Sequence, residues 1–388
     1  TGEERYSTRG RARMLQEMLR EGVITEGWKS EDLKEALDWC LGCKGCRSDC
    51  PTHVDMASYK AEFLSHYHET HPRGREAFAM GRIGEWAPKA AAMPWLANFV
   101  TQAPVLGWLA KAAGGIAQER RLPPFARRTL RAQFEEHVRA RRDPRHREGA
   151  RRGDVVVLWS DTFNNHFRPQ VGMAAERVLD AAGCRVELPP EGLCCGRPYY
   201  DFGMLDRAKE SLAKVLDALA PQIEAGTPMV VMEPGCHSVF RDELLKLFPD
   251  DPRAQALSRQ AMGLGEFLQG RQWRPSSRVE GGKALLHGHC HQKALGGTEA
   301  DAAMLRAAGY EVQSPDTGCC GMAGAFGMKP AHLEASRAIA EQGVLPKVRA
   351  AGDATLVVSN GFSCREQIEQ LGERETVHLA EALARALK

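Results

Sequence analysis

The spacing of apolar and polar positions changes character twice along the chain. Over residues 1 to 75, ARMLQEMLREGV and SEDLKEALDWC carry apolar residues at helical intervals on either side of a short cysteine-rich loop, which predicts a small all-α unit. From 76 to 150 the text stays helical, first apolar (MPWLANFVTQAPVLGWLAKAAGGIA) and then basic (ERRLPPFARRTLRAQFEEHVRARRDPRHREGARR), with Gly and Pro throughout. Beyond 150, short β-rich runs alternate with helical stretches, the pattern of a parallel sheet with crossover helices.

That last region reads as one unit written twice. VVVLWSDTFNNHF, GCRVELPPEGLCCGRPYYDFGM and PMVVMEPGCHSVFRDEL return in the same order, at comparable spacing, as ALLHGHCHQKA, GYEVQSPDTGCCGMAGAFGM and TLVVSNGFSCREQI. The predicted fold is therefore α/β with an N-terminal all-α part: residues 1–75, a helical and basic linker at 76–150, and two duplicated α/β domains with parallel sheets at 151–280 and 281–388. In both copies each cysteine-bearing block follows an apolar run or a turn. This puts the thiols on loops at strand ends, where open α/β sheets build their sites.

A chain of 388 residues, 43% hydrophobic and 26% charged, buries real cores, and its net charge of +2 lacks the field of a nucleic-acid binder. The apolar stretch in the linker is broken by Pro94 and Pro104 and carries Asn98, Gln102 and Lys111, so it predicts interdomain packing and not a membrane span. The basic run reads as a solvated linker without assigned function. The text starts at Thr1 with Arg- and Glu-rich helical sequence and shows no secretory apolar core. A cytoplasmic, reducing setting is predicted, with the true N-terminus expected upstream.

Twelve cysteines sit in tight groups rather than spread as staples, so metal ligation is predicted before disulfides. In CLGCKGCRSDCP, Cys40, Cys43, Cys46 and Cys50 are separated by two, two and three residues and followed by Pro51. This is the bacterial ferredoxin run that holds a [4Fe–4S] cluster, and Gly42 and Gly45 let the backbone wrap the inorganic core. A zinc knot is the weaker alternative, since zinc motifs pair separated hooks. The fourth cysteine of such a run characteristically serves a neighbouring cluster. Cys40, Cys43 and Cys46 then lack a fourth ligand and Cys50 lacks three companions, unless a second run precedes Thr1; one cluster held by all four is the other arrangement.

The later copy of the duplicated CC-G element offers Cys290, then Cys319 and Cys320 between Gly318 and Gly321, then Cys364. These four thiols from three loops predict a metal centre, with a vicinal disulfide as the alternative and zinc open as the metal. The earlier copy keeps Cys194, Cys195 and Cys236, while the place of Cys290 falls near Thr162. Either these three bind a metal with an added ligand such as His166, or the site has decayed to packing. Cys184 aligns with Tyr310 and is expected as a small buried hydrophobe. His287, His289 and His291 surround Cys290; His289 and His291 are candidate cofactor-environment residues, with an ordinary hydrogen-bonded loop as the alternative. GCCGMAGAFG lacks the Lys-Ser/Thr ending of a phosphate loop, and no strand-linked GxGxxG predicts a flavin or nucleotide site in this chain.

With these residues in view, CLGCKGCRSDCP, the preceding STRGRARML and the paired CC-G blocks resemble the C-terminal iron–sulfur portion of FAD-linked D-2-hydroxyacid oxidoreductases. The resemblance extends to the glycolate oxidase iron–sulfur subunit and to the CCG cysteine-rich domains of heterodisulfide reductase. It implies a helical ferredoxin-like domain followed by two CCG domains, and an FAD-binding domain or subunit, upstream in the same polypeptide, that oxidises glycolate, D-lactate or D-2-hydroxyglutarate. Electrons would pass through clusters to a quinone or another carrier, and a peripheral contact with the inner face of the cytoplasmic membrane goes with that role. The resemblance also implies that Cys40, Cys43, Cys46 and Cys50 form the family's second ferredoxin run and that Cys290, Cys319, Cys320 and Cys364 belong to its cysteine-rich repeat. Gly361 and Glu233 stand where the fuller motif has cysteines, so a four-ligand centre is expected in place of a five-cysteine one. Two other functions stay in view: a thiol or disulfide reductase acting at the CC-G centre, and a zinc-stabilised docking scaffold.

Overall fold

The structure is a computed structural model and describes residues 2–142 and 153–387; residues 143–152 of the basic linker lie outside the described residues. Its N-terminal part is helical because each amphipathic run has its own start signal. Ser7 caps α1 (Thr8–Leu19) and Ser30 caps α2 (Glu31–Asp38), each side chain accepting a backbone N–H in the first turn. The cysteine run leads into α3 (Gly45–Asp49), and Asp55 caps α4 (Met56–Thr70) by accepting from the N–H groups of Ala57 and Ser58. Met18, Leu33, Leu37, Met56 and Phe63 close the small core, with Cys40 at its edge.

The apolar stretch that follows does not run as one helix. It breaks into α5 (Arg75–Ala79), α6 (Ile83–Ala91), α7 (Pro94–Gln102) and α8 (Pro104–Ala113), before α9 (Leu130–Arg142). Pro94 and Pro104 each open a helix, a position where the missing N–H costs nothing. Among the described residues no helix is long and apolar enough to cross a membrane. The inner side of this segment packs across domains, Ala87 meeting Phe125, Phe167 and Phe362.

The two remaining units share one topology. β1 (Asp154–Trp159), β2 (Cys184–Glu187), β3 (Met229–Val231) and β4 (Ala261–Gly263) form a parallel sheet in the order β2-β1-β3-β4. β5 (Lys283–Leu286), β6 (Glu311–Gln313), β7 (Thr355–Val358) and β8 (Thr376–Val377) repeat it as β6-β5-β7-β8. The predicted parallel sheets and duplication are both present. One core runs through both units, Val156, Leu158 and Leu179 of the first joining Leu286, Leu305 and Leu383 of the second. Cys184 and Tyr310 are buried in that same core, as the alignment of the copies implied.

Buried polar groups then clamp the parts together. Arg120 is enclosed, donating from Nε to the Gly327 carbonyl at 2.7 Å, from Nη1 to Gln367 Oε1 at 2.7 Å and from Nη2 to Ser336 Oγ at 2.8 Å. Lys329 Nζ and His332 Nε2 reach Asp38 of α2 at 2.8 and 3.1 Å. Burial raises the Asp38 pKa, but His332 and Lys329 outweigh it and hold the carboxyl well below its ordinary range.

A depressed folded-state pKa means that Asp38 contributes stability above the unfolded Asp value near pH 4, and that this is lost as pH falls toward the folded value. Thermal unfolding followed from about pH 5 down to about pH 3 should show a steeper fall in Tm for the native protein than for Asp38→Asn. Parallel curves for the two proteins would remove this clamp from the account.

Candidate metal centre

Left-handed backbone at Gly42 (φ +63°) and Lys44 (φ +61°) folds the run into a tight loop between α2 and α3. Gly42 adopts it without strain; Lys44 adopts it against the usual preference, so its side chain must be held. Met56 donates its N–H to Cys46 Sγ at 3.4 Å, and Lys60 Nζ ties the Cys40 carbonyl at 2.7 Å. Burial, and then the neighbouring sulfurs of Cys290, Cys40 and Cys46, push the Cys43 thiol up to about 11. Cys50 has local surroundings: its Sγ lies 3.1 Å from Thr52 Oγ1, and that hydroxyl with the N–H groups of Val54 and Thr52 lowers its pKa. The run thus brings Cys40, Cys43 and Cys46 to one place and gives Cys50 its own ring of donors.

In the later copy the thiols come from the C-terminal ends of three neighbouring strands. Cys290 opens the helix Cys290–Leu295 after β5, Cys319 and Cys320 lie in the loop after β6, and Cys364 lies in the helix Phe362–Leu371 after β7. The doublet turns sharply between Gly318 (φ +57°) and Gly321 (φ +85°), where a Cβ at 321 would stand 2.2 Å from the Ser336 carbonyl oxygen. Side-chain contacts link Cys290 to Cys319 and Cys320 to Cys364. Cys320 Sγ, Cys364 Sγ and a ring nitrogen of His287 lie within 4.8 Å of one another. His287 Nδ1 sits 2.5 Å from Thr317 Oγ1, while its Nε2 is buried without a hydrogen-bond partner. Converging soft sulfur donors and an unsatisfied imidazole nitrogen fit an iron–sulfur or other thiophilic metal centre. All twelve cysteines are free thiols, so the vicinal disulfide between Cys319 and Cys320 does not form.

His289 and His291 both line the cavity that the thiols face, and each also has a structural contact of its own. His289 caps its helix, Nδ1 accepting the His291 N–H at 3.1 Å, and its ring fills the space beside Gly361, where a Cβ would lie 2.3 Å from His289 Cδ2. A fifth thiol at 361 therefore has no room. His291 Nε2 lies 2.9 Å from the Gly42 carbonyl and 3.1 Å from Arg197 Nη2, so it grips the cysteine run. Burial drives all three imidazoles down in pKa, His287 and His289 to about 3, which keeps them neutral at physiological pH. His287, which the sequence does not single out as a cofactor-environment residue, has a ring nitrogen within 4.8 Å of the Cys320 and Cys364 sulfurs.

The earlier copy gathers its three cysteines as well. Cys195 and Cys236 sulfurs are 2.9 Å apart, Cys194 contacts Cys195, and the Thr162 hydroxyl contacts Cys194. Thr162 opens the helix Thr162–His166 after β1, as Cys290 opens its own helix after β5. His166 closes this helix; its carbonyl accepts from the Ala126 N–H, its Nε2 neighbours the Asn165 amide, and its buried Nδ1 has no hydrogen-bond partner. Glu233, in the place of the other missing cysteine, accepts the Phe362 N–H at 2.9 Å and is raised to about 7 by burial and by Asp161.

Both thiol sets and Cys43 face one cavity of about 390 Å³ between the domains, walled by Phe125, Phe163, Phe167 and Phe362. The helix Cys290–Leu295 packs on α3, which carries the run to the later CC-G loop. Lys44 makes this approach stable: fully enclosed, its Nζ pairs with Glu243 at 2.9 Å, Asp55 at 3.2 Å and Asp242. Arg197 adds a second tie, donating to Glu243 Oε1 at 2.6 Å and to the Gly42 carbonyl at 3.4 Å. Neither cation was legible as a site residue, because their carboxylate partners lie far away in sequence.

Lys44→Met leaves three carboxylates without their buried cation. Lys246 and Arg47 still contact Asp55 and Asp242, so the expected loss is about 3 kcal/mol, the low end for breaking a buried pair. Denaturant unfolding measures it, and an unchanged midpoint would contradict the assignment.

Comparison with known proteins finds a match in each α/β unit. The model of the CCG cysteine-rich domain matches residues 161–241 and 285–369, one match in each α/β unit. The D-2-hydroxyglutarate dehydrogenase of Escherichia coli K12 is 27% identical over 92% of this chain and 35% of its own length. The chain thus spans about a third of the length of the D-2-hydroxyglutarate dehydrogenases it matches. The glycolate oxidase iron–sulfur subunit of Escherichia coli K12 is 25% identical over 100% of this chain and 89% of its own. Lactate utilization protein A of Bacillus velezensis is 31% identical over 54% of this chain and 87% of its own. With a matched domain in each copy, and relatives that include dehydrogenases and an iron–sulfur subunit, the chain belongs to the cysteine-rich CCG-domain family.

Proposed function

We propose that this chain is the iron–sulfur electron-transfer part of a flavin-dependent D-2-hydroxyacid oxidoreductase, of the glycolate, D-lactate or D-2-hydroxyglutarate type. It works in the cytoplasm with an FAD-binding domain or subunit as donor and a quinone or another carrier as acceptor. The observation that carries the reading is the approach of Cys43 to Cys290, which places the ferredoxin run and the later CC-G thiols on one cavity.

In this reading Cys40, Cys43 and Cys46 hold one [4Fe–4S] cluster and Cys50 serves a neighbouring one. Cys290, Cys319, Cys320 and Cys364 hold a four-ligand centre, with His287 beside Cys320 and Cys364. Bound iron–sulfur clusters supply reversible one-electron transfer at potentials that their hydrogen bonds and burial set. The chain's own residues do the positioning. Lys44, Arg197 and His291 fix the run against the later copy, and the phenylalanines give the thiol cavity an apolar wall. Glu233, buried between the copies beside Asp161, is a titratable group able to hold a proton on that cavity.

The same cavity favours a second reading, since direct reduction of a disulfide at the CC-G centre needs open space beside Cys319 and Cys320. Disulfide turnover without quinone, abolished by Cys319→Ser, would establish it in place of the relay.

Full-length protein should be brown, contain iron and acid-labile sulfide, and bleach on addition of the hydroxyacid; a colourless protein containing zinc alone would sink the relay and leave a zinc-stabilised scaffold. Iron per chain also decides whether Cys194, Cys195 and Cys236 hold a metal. In Cys319→Ser the flavin should still be reduced by substrate while quinone reduction falls by at least about 100-fold, the upper end for losing a mere outer-shell partner. Quinone turnover equal to wild type would remove that centre from the path.

A further inference from the structure

Helices α7 and α8 form a hairpin with two unlike sides. Its inner side, through Thr101, Ala110 and Gly114, walls the thiol cavity. Its outer side leaves large apolar residues in water: Trp95 is 70% exposed, Val105 71%, Phe99 60% and Trp108 54%, with Met93 and Leu109 beside them. Singly such residues are ordinary, but a contiguous face of this kind marks a binding surface. The helices pack on each other and are nine and ten residues long, far too short to span a bilayer.

We infer that this hairpin lies in the surface of an anionic phospholipid bilayer, with the mouth of the cavity at the lipid boundary. Charge selects the bilayer over a protein partner. From Trp86 to Arg131 the chain has Lys89, Lys111 and, beside the enclosed Arg120, four further arginines against one acidic residue, Glu119. Lys89, Arg121 and Arg127 are exposed, and Arg121 also lines the cavity. Tryptophans and phenylalanine on one face with exposed cations nearby are what an interfacial helix presents to headgroups. Pro104 at the start of α8 marks the turn of the hairpin.

The inference rests on the proposed electron-transfer role for its purpose: a lipid-dissolved quinone would pass from the acyl region through the hairpin wall to the thiol cavity without crossing water. Its test does not depend on that role. Full-length protein is floated with vesicles of phosphatidylcholine containing phosphatidylglycerol, and with vesicles of phosphatidylcholine alone. Wild type should float with the anionic vesicles, less with the neutral ones, and less again at high salt as screening shortens the reach of the cations. The double variant Trp95→Glu/Trp108→Glu should lose vesicle affinity by about tenfold or more, while Trp95→Phe/Trp108→Phe keeps most of it. Thermal unfolding of the variants should match wild type, because both side chains are exposed.

Wild type that does not float, or a Glu variant that floats equally well, would overturn the docking face. So would a Glu variant that instead dissociates from its flavin part or from a second copy, since the patch would then be a protein interface. Protein that floats but holds no iron would sink the relay alone. Protein that holds iron and reduces soluble quinone without floating would sink the docking alone.

Discussion

The enclosed ammonium of Lys44 decides how the molecule comes together. It sits in the middle of the cysteine run, in left-handed backbone, and its three carboxylates come from α4's cap and from the first α/β unit. A charge buried to that degree is tolerable only when all its partners are present, so the run can occupy one place. That place sets Cys43 beside Cys290, because Arg197 and His291 hold the Gly42 carbonyl from the two copies at once. The cavity onto which both thiol sets open follows from this docking.

The duplicated units explain why the site lies between them and why its halves differ. Identical strand orders bring the same three loops of each copy to the strand ends, so two thiol groups face each other by construction. The later copy keeps four cysteines. In the earlier one Thr162 occupies the helix-start position of Cys290, and Glu233 spends its carboxylate on the Phe362 N–H of the other copy. Both copies gather their thiols at the strand ends, and the earlier one adds a hydrogen bond across the interface through Glu233.

The parts legible in the sequence were those with a local rule. The spacing of Cys40 to Cys50 imposes a wrapped loop, the alternation after residue 150 imposes parallel sheets, and the repeated CC-G blocks impose paired sites. What escaped was set by contacts between distant residues. Nothing near Lys44 announces Asp242 or Glu243, and nothing near Gly361 announces that the His289 ring occupies its Cβ space. The three histidines around Cys290 look alike in sequence, yet His289 serves as a helix cap, His291 as an interdomain clasp and His287 as the neighbour of Cys320 and Cys364.

The central claim is that these sulfur atoms hold iron in two adjoining places. Anomalous diffraction from crystals of the full-length protein, recorded at the iron and zinc absorption edges, tests it directly. The account expects iron-edge peaks among Cys40, Cys43 and Cys46 and among Cys290, Cys319, Cys320 and Cys364, on the two sides of the Cys43–Cys290 approach. Peaks at the zinc edge alone, or no anomalous density at either thiol set, would contradict it.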